Sequence, residues 1–427
     1  MQWPDQLELE LHAIAQGGDA VGRHDGRAVF ASGGLPGELV RVQLYDRQAT
    51  FARGRVVEVL RAAPERRISA CPLEQQCGAG DWRWIDHAAQ QRFKAEILRE
   101  QLQHIGGLEV TVLPPAPPAD TVATSPLTPG GYRTTAELHI AGDRIGYYLP
   151  GSRRVADVGA CCLHHPLIND ALAALRPLLH QAWQGLALRG VTIRCSPTSG
   201  QAIAVLDGRG PLRELVLRWR QACPTLVGVT HMQTRRALDG QDWIERRGGG
   251  VRFHVSASSF FQINAQQIEP LATRVRTLLD PEPTTRLLDV YCGVGLFGLA
   301  LAHEVEAVVG VEEWEPAVAD ARRSAKLNAI RNVTFHAGVA ERLLARLEGS
   351  FDRVVLDPPR RGCAPEVIDA LVQRQPARIV YVSCHPGTLA RDCKLLAAAG
   401  YQISSAEVID MFPHTHHVES IVRLERA

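Results

Sequence analysis

From about residue 251 the chain alternates strand-like and helix-like segments with a regularity that leaves few folds open. "RLLDVY" runs through a glycine turn into "LFGLALAH", and "EAVVGVEE" into "EPAVADARRSAKLNA". "FDRVVLDPP" then leads to "PEVIDALVQ", and "RIVYVSC" to "GTLARDCKLLAAA". Strands this apolar must be covered on both faces, and a strand–helix–strand succession covers them only by right-handed crossovers. Residues 251–427 therefore read as a doubly wound parallel sheet with helices on both faces.

The chain of 427 residues is too long for one ordinary core. Residues 1–62 alternate apolar and polar in short runs ("LELELHAI", "RAVFASG", "LVRVQLYD", "FARGRVVEVL") broken by glycine turns, as a small β-barrel does. Residues 63–250 mix strands such as "VTIRCS" and "AIAVLDG" with helices at "DHAAQQRFKAEILREQLQHI" and "PLINDALAALRPLLHQAWQGL", an α+β reading. Within that region "VLPPAPPADTVATSPLTPGG" is Pro/Thr-rich and aperiodic, a loop or linker.

Composition narrows the classes. Formal net charge is +1, so any nucleic-acid surface has to be local. Of 47 basic residues only Lys94, Lys326 and Lys394 are lysine. Arginine suits bidentate phosphate contacts, and codon bias explains the same excess. No apolar run approaches the length of a membrane span, and "MQWPDQLELELH" is no signal peptide. With ten scattered cysteines the expectation is a reducing cytoplasm, where thiols react or bind metal rather than pair.

In an open parallel sheet, ligands sit off the carboxyl ends of the strands. There the sequence puts Asp289, Tyr291 and the Gly293/Gly295 turn, then Glu312, Asp357 and Cys384. A sheet without a site would scatter such groups over both edges. "GVGLFG" fits the dinucleotide pattern, which adenosylmethionine folds share. Asp289 within the strand and "DPPR" closing a later one favour adenosylmethionine. Cys384 ends a strand on this edge and faces a helix start at His-Pro-Gly, whose N–H groups favour a thiolate. Free cysteine is also a common inert core residue, so position alone leaves both readings open.

"VSCHPGTLARD", "DPPRRG", "SFFQIN", "LDVYCGVGLFGL" and "MFPHTHHVESIVRL", taken together and in order, resemble the RNA uracil-5-methyltransferases acting on ribosomal and transfer RNA. "GGDAVGRHDGRAVFASGGLPGELV" resembles that family's TRAM domain, an OB-type RNA-binding barrel. The resemblance implies a multidomain chain with a Rossmann-like class I methyltransferase fold at its end. It implies S-adenosyl-L-methionine as methyl donor, Cys384 as nucleophile and Glu419 as base. It implies cofactor contacts from Gln262, Tyr291, Gly293, Gly295, Glu312 and Asp357. Leu296 and Val339 stand where the family commonly has asparagine, so backbone atoms or other side chains have to serve there. Phe260 and Phe261 suit either base stacking or core packing. The expected substrate is a uridine of large-subunit ribosomal RNA, with transfer RNA the alternative, acted on by a monomer without membrane association.

Many family members hold a [4Fe-4S] cluster by C-x5-C-x2-C and a later cysteine. Cys71 and Cys77 keep the first spacing, and Cys162 (or Cys161) suits the last. Gly80 stands in the third position, and Arg83-Trp84 replaces the family's Gln-His. Asp81 is a conceivable substitute ligand, and His164 and His165 leave zinc as a weaker alternative. Cluster ligation normally asks for four cysteines, so these departures read as loss of the site. Two other classes compete. A nicotinamide-dependent oxidoreductase would use "GVGLFG" but leaves Cys384 and Glu419 idle, and a non-catalytic RNA-binding protein leaves both unused.

Overall fold

The computed structural model describes residues 3–74, 76–115, 130–181 and 185–427. Most of the Pro/Thr-rich stretch lies outside them. Five strands, β1 (Gln6–Ile14), β2 (Ala20–His24), β3 (Arg27–Ser32), β4 (Leu39–Arg47) and β5 (Phe51–Arg61), close into a barrel in the order β1-β2-β3-β5-β4. Their alternation fills it: Leu7, Leu9, Leu11, Val29, Val40 and Val42 point inward and are buried. Helix α1 (His87–Gln101) follows, capped by Asp86, whose carboxylate accepts from the Ala89 N–H at 3.2 Å. A π-turn, Leu102–Gly106, ends it before the two-residue strand β6 (Val112–Leu113).

The middle of the chain forms a second sheet from β7 (Thr135–Ala141), β8 (Arg144–Gly146), β9 (Ala187–Ser196), β10 (Gln201–Arg209), β11 (Leu226–His231) and β12 (Ala237–Gly240). Its order is β12-β11-β10-β9-β7-β8. Helices α2 (Pro166–Leu179) and α3 (Leu212–Ala222) bury Leu172, Leu175, Leu215 and Trp219 against it. A hairpin, β13 (Trp243–Gly248) and β14 (Val251–Ser256), turns at 249–250, so the expected boundary at 250/251 falls on its tip.

The last third follows the predicted alternation: α4 (Ala265–Leu279), β15 (Arg286–Val290), α5 (Leu296–Leu301), β16 (Ala307–Glu312), α6 (Glu315–Leu327) and β17 (Val333–Ala337). Then come α7 (Ala340–Leu343), β18 (Arg353–Leu356), α8 (Pro365–Arg374), β19 (Arg378–Ser383), α9 (Pro386–Ala398), β20 (Tyr401–Ile409) and β21 (Glu419–Arg426). The sheet order is β17-β16-β15-β18-β19-β21-β20-β6, parallel from β17 to β19, with β21 antiparallel to β19. The strand order reverses between β15 and β18, the crevice where such sheets bind ligands. Among the described residues no helix is long and apolar enough to cross a membrane.

Grouping 63–250 as one unit misplaces α1. Its Phe93, Ile97 and Leu98 pack with Leu389, Cys393, Leu396 and Val408 in the core under the large sheet. The reason is its apolar face, which finds cover on α9 and β20 while β6 pairs alongside β20. On that face Lys94 is fully buried; it donates to Asp410 Oδ1 at 2.8 Å and to the Phe412 carbonyl at 2.8 Å. His87 Nε2 takes the other Asp410 oxygen at 2.6 Å. Burial opposes ionisation of Asp410, but Lys94 and His87 outweigh it and hold the carboxyl well below the usual range. Its contribution to stability is therefore present above the ordinary carboxylate pKa and lost on acidification. Lys94→Met leaves a buried carboxylate with His87 alone. The expected cost is about 3 kcal/mol, the low end for a broken buried pair, read as a lower apparent unfolding midpoint and faster proteolysis in residues 410–418.

Candidate active site

β15 delivers Asp289 two residues before its turn. The side chain is fully buried, with Oδ2 accepting from the Gly298 N–H at 2.8 Å and Oδ1 left without a partner. A Cβ on Gly298 would lie 2.9 Å from Asp289 Oδ2, so the third glycine of "GVGLFG" is there to let α5 approach the carboxylate. After the strand Tyr291 takes φ +64, a left-handed conformation costing about 1–2 kcal/mol for a non-glycine residue. Gly293 follows at φ +54, with open space where a Cβ would stand.

Glu312, the last residue of β16, faces this turn. Its Oε2 accepts from the Gly293 N–H at 3.0 Å and its Oε1 from the Trp314 N–H at 2.7 Å. Asp357 follows β18 directly. Burial, then Glu312, pushes its carboxyl up to about 7. Asp289 is likewise raised to about 7, by burial first and then by Asp357 and Glu312. Three carboxylates thus crowd the switch point, and their mutual repulsion marks it as a place for a cation.

Cys384 follows β19, half-buried, and His385 caps α9 through Nδ1, which accepts from the Thr388 N–H at 3.2 Å. The antiparallel register ends with Ser383 paired to Ser420; Cys384 and Glu419 are the next residues on the two strands, and the Glu419 charge acts on the thiol. Glu419 is 3% exposed and also pairs with Ile409 of β20. Burial, then Asp357, raises its pKa well above the ordinary value, and Arg360 works the other way. Cys384 is pushed up to about 11 by burial, Glu419 and Asp357, and Arg360 opposes this as a charge and as a hydrogen-bond donor. Arg360, the residue after Asp357-Pro-Pro, is the group that sequence reasoning undervalued. The signal was its place at the end of β18, on the ligand edge.

The remaining residues of the expected set divide. Gln262 is buried in the loop between β14 and α4, and its side-chain amide has no partner among the described residues. Asp320 of α6 anchors that loop, accepting from the Ser256 N–H at 2.9 Å and the Ser259 hydroxyl at 2.6 Å. Phe261 belongs to the core, against Phe253 with ring centroids 5.4 Å apart, whereas Phe260 is 63% exposed. Leu296 is buried in the core at the start of α5, and Val339 precedes α7. From the barrel, Gln16 reaches His385, nitrogen to nitrogen at 2.8 Å, bringing a β1–β2 loop residue to the edge of the site.

The alternative ligands each have a partner within the protein. His165 caps α2 through the Leu167 N–H, and His164 Nε2 is 2.7 Å from the Tyr147 hydroxyl. Asp81 is engaged through both carboxylate oxygens by His416. Among the described residues no group of three or more His, Cys, Asp or Glu is arranged to hold a metal ion.

Comparison with known proteins bears on the whole chain. Residues 241–427 match the tRNA (uracil-5-)-methyltransferase family model, and residues 7–57 match the TRAM domain. A protein of Gloeobacter violaceus named an uncharacterised RNA methyltransferase is 37% identical, with 99% of this chain and 96% of that protein covered. One of the same description from Thermosynechococcus vestitus is 32% identical over 98% and 97%. In fold, the chain is similar to the solved Pyrococcus abyssi tRNA (uracil-54, C5)-methyltransferase, with TM-score 0.76, 24% identity, and 98% and 99% coverage. With a barrel that matches TRAM, a sheet that matches the methyltransferase domain and relatives aligned from end to end, the chain belongs to the RNA methyltransferase family defined by the tRNA (uracil-5-)-methyltransferase domain.

Proposed function

We propose that this protein methylates carbon 5 of a uridine in RNA, with Cys384 as nucleophile and Glu419 as base. The observation that carries the reading is the β19–β21 register, which brings the strand ends next to Cys384 and the buried Glu419 together at the ligand edge. Carbon 5 of uracil is a poor nucleophile. Addition of the Cys384 thiolate at carbon 6 forms a C–S bond and moves the electron pair into an enolate; carbon 5 would then bond the methyl group as its bond to the donor's sulfur breaks and the neutral thioether leaves. Glu419 removes the carbon-5 proton. The C–S bond breaks, carbon 5=carbon 6 re-forms, and the thiolate is released. The target base has to leave its stack to expose carbon 6.

S-adenosyl-L-methionine supplies an electrophilic methyl on a positively charged sulfur. The chain suits such a cation: Asp289, Glu312 and Asp357 gather at one crevice, Asp289 Oδ1 lacks a partner, and Gly293 leaves open space at the turn. Tyr291, Gly295 and Gln262 complete the proposed cofactor set. The proposed division is a barrel at 1–62, a middle region at 63–250 that grips RNA with it, apart from α1, which packs under the large sheet, and a catalytic region at 251–427. All proposed catalytic groups come from one chain, consistent with a monomer. Large-subunit ribosomal RNA is the proposed substrate, and transfer RNA its competitor. Incubation with labelled adenosylmethionine and total RNA, followed by fractionation, tests both. Label in no RNA would end the proposal, and label in transfer RNA alone would move the substrate.

The raised thiol sets the pH profile. Both Cys384 and Glu419 must lose a proton to act, so kcat/KM climbs through the neutral range by at least roughly tenfold per pH unit. Arg360→Gln removes the group that favours the thiolate and lowers kcat/KM near neutrality by about 10–100-fold, one to two pKa units. With the thiol near 11, the deficit is constant across the neutral range and shrinks only as pH nears and passes that value. An unchanged kcat/KM near neutrality would mean that Arg360 does not act on the thiol.

A further inference from the structure

Cys71, Cys77 and Cys162 stand where the family resemblance puts three ligands of an iron–sulfur cluster, and the place of the remaining ligand is decisive. A Cβ built on Gly80 lies 3.0 Å from Arg83 Nη1 and 3.0 Å from Leu163 Cδ1. A side chain there would meet the end of the Arg83 side chain, which lies beside residue 80. Arg83 is 3% exposed, its Nε donates to Glu74 Oε2 at 3.0 Å, and its Nη2 is buried without a partner. Of the candidate substitutes, Asp81 is engaged by His416.

The same loop supports the segment that carries Glu419. The Trp82 N–H donates to the His414 carbonyl at 3.1 Å, and the His416 N–H donates to Asp81 Oδ1 at 3.2 Å. Residues 80–82 thus back residues 414–416, three positions before the proposed base.

We infer that the Arg83–Glu74 ion pair closes the cysteine loop in place of a metal cluster and braces the segment leading to Glu419. A buried ion pair locks such a loop because separating the partners leaves an uncompensated charge. The inference does not rest on methyl transfer, and its readouts contain no RNA, so failure of the proposed function leaves it standing.

The full chain, purified without oxygen and then incubated with ferrous iron and sulfide, is expected to retain neither in stoichiometric amount. It is also expected to show no visible charge-transfer absorption. A full complement of iron and sulfide would overturn the inference. Glu74→Gln is expected to lower the apparent unfolding midpoint by about 3–5 °C, the shift a broken buried pair gives in a chain of this size. Hydrogen exchange should accelerate at residues 77–84 and 410–418 and not in the barrel. An unchanged midpoint, or acceleration spread evenly, would overturn the bracing role. If Glu74→Gln does not accumulate as folded protein, Glu74→Asp reads the same two quantities with a smaller shift.

Discussion

Cys384→Ala abolishes methyl transfer, with an expected loss of at least ~10⁴-fold, as removal of a covalent nucleophile commonly gives. In the proposed mechanism the C–S bond is what makes carbon 5 nucleophilic, and the other cysteines of this domain are poorly placed to replace Cys384. Cys363, Cys292 and Cys393 are buried, and burial pushes each thiol upward. Cys384 is half-buried at a strand end, so truncation to alanine removes little packing and the variant folds. Affinity for RNA and for adenosylmethionine is expected to change little, which separates lost chemistry from lost binding. Cys393→Ala is the matched control: its site lies in the core shared by α1 and α9, so it costs stability and spares the reaction. Labelling of RNA by Cys384→Ala at the native rate would refute the nucleophile assignment.

Glu419→Gln stalls the reaction at a different point. Addition of Cys384 and transfer of the methyl both precede removal of the carbon-5 proton, so neither needs the carboxylate. Release does. The variant is expected to lose about 10²–10⁴-fold in turnover, the range for a general base, while methylated RNA accumulates attached to the protein. A labelled band that survives denaturing electrophoresis and disappears in the Cys384→Ala/Glu419→Gln double variant measures this. The amide is nearly isosteric with a carboxyl whose proton is already held tightly by burial, so folding is not at stake. Turnover without any trapped adduct would assign the proton to another base.

Much of this architecture was legible because its causes are local. Period-two alternation from Leu7 to Leu60 reports strands with one buried face, and apolar strands followed by glycine turns from Arg286 onward report a covered parallel sheet. Asp289, Glu312, Asp357 and Cys384 could be read as one group because strand ends in such a sheet share an edge. The hairpin at Trp243–Ser256 was missed, since its Arg- and Gly-rich strands carry a weak pattern. So was the destination of α1. Its apolar stripe announces a buried face without naming the partner, and Lys94 on that face becomes intelligible only with Asp410, 316 residues away.

The cysteine loop shows the limit most clearly. Spacing alone leaves open whether Gly80 marks a tuned cluster or a vanished one, because a sequence records ligand types and not who fills the space. That the Arg83 guanidinium lies beside Gly80 is a tertiary fact. The pairing of Cys384 with Glu419 is of the same kind. Sequence determined that a thiol ends one strand and a carboxylate begins another, through propensity and patterning that act within a few residues. Only the tertiary structure decided that the second strand runs antiparallel beside the first, so that their ends meet. Register between distant strands is set by long-range packing and backbone hydrogen bonding. Those same contacts bury Glu419 and raise its proton affinity, and no local pattern encodes that.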